Sequence, residues 1–245
     1  MDLLELTIDE LDRAIEDLHV LVPAPQKIQF ADSFVFRHIE QLPRQVILQK
    51  LVKSLTTLRA ALLLSTHGFF QEQALLQRVL DEMQEEICFL SMPLIGNEPL
   101  TKAHATYIHG FFLEDIDRET GKPIDSNRPM VPRQKIRAYI ANSHFTPNDP
   151  STQINNTKFL SNFYSSYVHG ASFTIMDTYG GFPPRFHTNG MNGTPKEESY
   201  RRDLLNYFYR SILSFQLASL AFGASDAHNR LSGVATHYVQ IPGFV

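Results

Sequence analysis

From Ile8 onward, Ile8, Leu11, Ile15, Leu18 and Val22 recur every third or fourth position with acids between them, which predicts an amphipathic, acidic helix over about residues 8–20. Thr7 and Glu10 have capping-box spacing at its start, and Pro23 and Pro25 close it. The stretch VPAPQKIQFADSF then reads as a linker. Leu48, Leu51, Leu55, Leu58 and Leu62 form the next seam, from about Leu42 to Ser65, and Gly68 suits the left-handed position past a helix end. A partner helix from Phe70 keeps Leu76, Val79, Leu80, Met83, Ile87 and Leu90 on one arc until Pro93 stops it. The two predict a helical hairpin.

A third long helix is predicted from Pro99 to Asp117, and a short one from Pro132 to Asn142. FLSNFYSSYVHGASFTIM, residues 159–176, is a run of eighteen positions without a formal charge. It is expected to lie inside a core helix from about Asn155 to Asp177, with His169 buried among small residues and in need of a partner. A Gly/Pro-rich loop occupies 178–196, and a last helix spans roughly Glu197 to Phe222. Strand signals are sparse. The expected fold is all-α, a multi-helix bundle making one domain over 1–245, with an acidic N-terminal helix (1–22), a basic excursion (118–152) and the 178–196 loop.

Composition narrows the classes. At 245 residues and 43% hydrophobic, the chain can bury a substantial core. A net charge of −4 leaves no global basic field for a polyanion, so such a partner must meet a local patch. The single cysteine, Cys88, excludes an internal disulfide and fits a reducing cytoplasm. The acidic N-terminus is unlike a secretory signal, and Ser161, Asn162, Ser165, Ser166 and Ser172 make the uncharged run too polar for a membrane span, so no membrane association is expected.

His169, Glu82, Arg78 and Tyr164 are the candidates for catalysis. Glu82 and Glu86 lie one turn apart at the edge of the apolar arc, and Arg78 precedes Glu82 by four, a spacing at which the side chains meet. Either these are solvated ion pairs, or one carboxylate orients His169 as a general base; Tyr164 lies on the same helix as that histidine. Arg128, Arg133, Lys135, Arg137 and Arg185, with His187, are candidates for a phosphate-binding rim, and Tyr179, Phe182 and Phe186 interleave with Arg185 as a stacking surface would. The plainer reading is a solvated basic face docking the acidic first helix. A di-iron site wants Glu-x-x-His on two helices, whereas His104 and His109 are five apart, so neither metal nor other cofactor is expected.

The hairpin LRAALLLSTHGFFQEQALLQRVLDEMQEEICFL and the later YSSYVHG resemble the two signature regions of a bacterial family of unknown function related to the HEPN superfamily. Gly68, Arg78, Glu82, Tyr164, Ser165 and His169 carry the resemblance, which covers about half the chain. It implies a helical bundle, often dimeric, that binds or cleaves RNA or a nucleotide without metal, in a toxin or antiphage setting. Active members carry an arginine, then four to six residues, then the histidine. Here Asn162 stands at that place before His169, and elsewhere Arg137 and His144 have the interval. The alternative is a noncatalytic protein–protein interaction module.

Overall fold

The computed structural model describes residues 2–124, 127–143 and 149–244. Among them are nine helices, packed as a bundle, and two small hairpins. The first helix, α1 (Leu3–His19), starts earlier than its apolar spacing suggests, because Asp2 rather than Thr7 stands at the cap, where its backbone N–H reaches Glu5. Thr7 is inside the helix, donating its hydroxyl to the Leu3 carbonyl at 2.8 Å, the back-bonding a mid-helix threonine uses. The supposed linker pairs instead as a two-stranded hairpin, β1 (Gln26–Phe30) and β2 (Ser33–Arg37). Arg37 ties it to Glu114 at 2.6 Å.

The helical hairpin is α2 (Pro43–Thr66) and α3 (Phe70–Ile95). Gly68 holds φ +79° between them, the left-handed conformation a Cβ disfavours. Pro93 does not stop α3; it lies in the last turn, where few hydrogen bonds remain to be lost. The third helix is shorter than expected, α4 (Lys102–Phe112), and is followed by α5 (Arg133–Ala141). The long helix expected at 155–177 is broken in two, α6 (Pro150–Val168) and α7 (Ser172–Met176), with Gly170 at φ +60° between them. A second hairpin, β3 (Tyr179–Gly180) with β4 (Arg185–Phe186), leads to α8 (Glu197–Phe222).

α8 ends at Gly223 with φ +76°, and the Ala224 N–H reaches back to Ser219 at 2.9 Å, so the chain reverses. That reversal creates α9 (Ser225–Val239), absent from the sequence reading although Leu231, Val234, Ala235 and Tyr238 have helical spacing and are buried. α3 is the central element, packed against α2, α5, α6 and α8, while α1 closes the bundle against α2, α8 and α9. Leu51, Leu58, Phe70, Leu80, Phe89, Phe208, Ile212 and Phe215 are almost wholly buried in the core. Tyr238 of α9 meets Thr7 of α1 through their hydroxyls at 2.7 Å. Of the acids of α1, Glu10, Asp12 and Asp17 are met by Arg59, Arg230 and the helix's own Arg13, and among the described residues none pairs with the basic excursion. No helix among the described residues is long and apolar enough to cross a membrane.

Candidate functional site

Positions 81, 82, 85 and 86 fall on one side of α3, and three neighbouring helices aim cations at them. Arg78 pairs with Glu82 at 2.6 Å, as the i,i+4 spacing predicts. Arg133 of α5 is the hub, 3.0 Å from Glu82 and 2.6 Å from Glu86, with Glu85 at 3.7 Å. One turn on, Arg137 holds Glu85 at 2.8 Å. Lys50 of α2 pairs with Glu86, and Arg210 of α8 pairs with Asp81 at 2.7 Å. Asp81, Glu85 and Glu86 are buried, so their charges depend on these partners. Burial still raises the Glu85 carboxyl above its ordinary range, outweighing Arg137.

This arrangement uses up most of the proposed phosphate rim. Arg133 and Arg137 point inward to carboxylates, and Arg128 donates to the carbonyls of Gly110 and Leu113 and to Asp115 at 2.6–2.8 Å. Arg128 and Arg133 share a cleft of about 310 Å³ with Glu86, Tyr107 and Ile136, whereas Arg137 lines a separate cavity of about 160 Å³. Gln84, Glu85, Cys88, Gln153 and Arg210 complete the smaller cavity. There, burial and the Glu85 carboxylate push the Cys88 thiol up to about 12. Lys135 is exposed on α5, and Arg185 is exposed on β4 in a different hairpin, so the five cations do not form one rim. A phosphate would have to displace a bound carboxylate to engage Arg133 or Arg137.

His169 is a correction. It is the residue that caps the C-terminus of α6, its ring is exposed, and it has no side-chain hydrogen bond or ion pair among the described residues. The uncharged run misled because freedom from charge is not burial: Gly170 ends the helix, leaving His169 beyond the covered part. Neither Glu82 nor Glu86 orients its ring, because both carboxylates are held by Arg78, Arg133 and Lys50. His144, the partner suggested for Arg137, lies outside the described residues.

Among the described residues, the buried histidine is His104 of α4. Its Nδ1 accepts from the Thr101 backbone N–H at 3.1 Å, which leaves Nε2–H to donate to the Phe89 carbonyl at 3.0 Å, and its ring stacks on Phe89. Burial lowers its affinity for a proton below the ordinary 6.5. Below pH 6.5 the unfolded chain therefore takes up this proton more readily than the folded one. The stability from neutral His104 is intact above that pH and declines as pH falls toward the lower folded value. Urea titrations at about pH 8 and about pH 5.5 should show wild type losing stability in acid, and His104→Asn, less stable at both, should lose less of it across the interval. An equal acid loss in both proteins would remove His104 as the cause.

Tyr164 is buried as a packed aromatic, edge-on to Tyr207 with ring centroids 5.5 Å apart. Burial, then the nearby Asp203, raises its phenol above the ordinary range, so it stays protonated. Beside it the Tyr200 hydroxyl donates to Asp177 and meets the Tyr167 hydroxyl, each at 3.1 Å, and Lys196 pairs with Asp177 at 2.7 Å. Thus α6 and α7 turn Ser161, Tyr164, Tyr167 and Thr174 toward the bundle. Their large apolar side chains face the other way. Phe159 is 69% exposed and Phe173 61%, joined by Phe163, Val168, Ile175 and Met176; Phe182, between β3 and β4, is completely exposed as well.

The fold and its side chains define a mainly helical bundle that spends its charges on internal pairs and leaves an apolar face to solvent. No family model matches the chain, and neither a curated protein nor a solved structure matches it. No group of three or more His, Cys, Asp and Glu side chains among the described residues is placed to hold a metal.

Proposed function

We propose that the chain is a noncatalytic helical interaction module whose α6–α7 face is covered by a second copy of itself. One observation carries this reading: α6 is amphipathic the wrong way round for a lone bundle, with serine and tyrosine hydroxyls inward and Phe159, Leu160, Phe163 and Val168 outward. Apolar groups concentrated on an exposed face mark an association site. A self-complementary face also fits the two-fold pairing that most homo-oligomers use.

Sedimentation velocity at micromolar concentration tests it. Wild type should run as a dimer, and Phe163→Glu/Phe173→Glu should run as a monomer that still melts cooperatively, because neither side chain belongs to the core cluster. Burying two carboxylates at such an interface weakens association by about a hundredfold or more. A wild type that stays monomeric as concentration rises would defeat the proposal.

The β3–β4 hairpin supports a second reading, RNA binding. Lys158 and Arg185 are exposed without a carboxylate partner among the described residues, and Arg185 shares its hairpin with Tyr179, Phe182 and Phe186. Aromatic rings beside an unspent cation can stack single-stranded bases. Salt-sensitive binding of a uridine oligomer by a monomeric wild type, weakened in Arg185→Ala, would move the assignment to this reading.

A further inference from the structure

A cavity of about 810 Å³ lies between the start of α1, the end of α2, the first turns of α8 and the turn after α9. Its walls are mainly apolar: Leu4, Leu62, Leu204, Leu205, Ile241 and Phe244. The volume falls within the range of small-molecule sites. Its polar groups divide into spent and unspent. Glu197 accepts from the Gly193 N–H at 2.6 Å and from Arg201 at 2.7 Å, and Arg201 also reaches Asn192, so those two charges are satisfied.

Three groups are not. Ser65 is one of the residues around the cavity and is 1% exposed, and its hydroxyl, closed to solvent, has no hydrogen-bond partner among the described residues. A buried hydroxyl in that state costs stability until something accepts from it or donates to it. Arg202 makes no close ion pair among the described residues, though its charge acts on the neighbouring Asp203; its guanidinium lies over Gly243, 3.6 Å from where a Cβ there would stand, which puts it at the rim. Glu198, one turn before Arg202, lines the same cavity and makes no ion pair with it.

We infer that this cleft binds a small amphipathic carboxylate, an alkyl or aryl body with one acid group. The leucines, Ile241 and Phe244 cover the body, and Arg202 supplies a charge that a carboxylate oxygen pair matches bidentately. Ser65 is a donor that needs an acceptor, and a carboxylate brings one. Glu198 opposes the anion, so its charge limits affinity and disfavours ligands carrying a second acid. The wrong partners, polyanions, are therefore rejected by the same helix turn that holds the right one.

Calorimetric titration of the full chain with decanoate, and with decanol as the uncharged control, tests the assignment. Decanoate should bind saturably and more tightly than decanol. Arg202→Gln should weaken decanoate about tenfold and leave decanol alone, whereas Glu198→Gln should tighten decanoate several-fold. Both side chains are exposed, so the fold should tolerate both changes; Leu62→Trp, filling the cleft from another wall, should abolish binding of both probes. The inference falls if decanoate binds no better than decanol, if it does not saturate, or if Arg202→Gln leaves it unchanged.

Discussion

Arg133→Ala lowers the stability of the folded chain by about 3 kcal/mol, the scale on which removing one member of a buried ion network leaves charges unpaired. Arg133 touches three carboxylates at once, and two of them, Glu85 and Glu86, are buried. Lys50 still neutralises Glu86 and Arg137 still neutralises Glu85, so the loss stops short of unfolding. Urea unfolding should show the drop. A loss below about 1 kcal/mol would mean that the α3 carboxylates are solvated as an exposed surface pair is.

The second large effect is expected at Gly68→Ala, at about 2–3 kcal/mol, from two independent causes. The residue holds φ +79°, where any Cβ is strained, and the added carbon would stand 2.8 Å from the backbone nitrogens of both Met191 and Asn192. Gly68 also accepts the Met191 N–H at 2.8 Å, so the segment entering α8 rests on the turn between α2 and α3. Amide exchange at Met191 should speed up in the variant by more than global destabilisation requires. Protection of that amide equal to wild type, at the reduced stability, would mean that the segment does not depend on this close approach.

Apolar spacing disclosed the α2–α3 hairpin and the extent of α8, because those faces look into the core and their periods are local. Gly68 could be placed at the turn for the same reason; its role in docking residues 191 and 192 could not, since that contact joins parts of the chain far apart. The Arg78–Glu82 pair was legible at four-residue spacing, while Lys50, Arg133, Arg137 and Arg210 find their acids only once separate helices pack. For α6 the usual rule pointed the wrong way: an uncharged aromatic run reads as interior, yet the helix buries hydroxyls and exposes phenylalanines. His104 stayed hidden because its partners, Thr101 and the Phe89 carbonyl, carry no sequence signal of their own. β1 and β2 did leave a trace in the alternation of KIQF and SFVFR, outweighed by the neighbouring prolines.

Cys88 sits against the cavity framed by α3, α5 and α6 with a thiol that scarcely ionises near neutrality. Alkylating reagents attack the thiolate, so the sulfur is chemically silent while those helices remain closed. The chain thereby carries a single intrinsic stopwatch for the separation of its central helix from its neighbours, readable without adding a label or changing a residue.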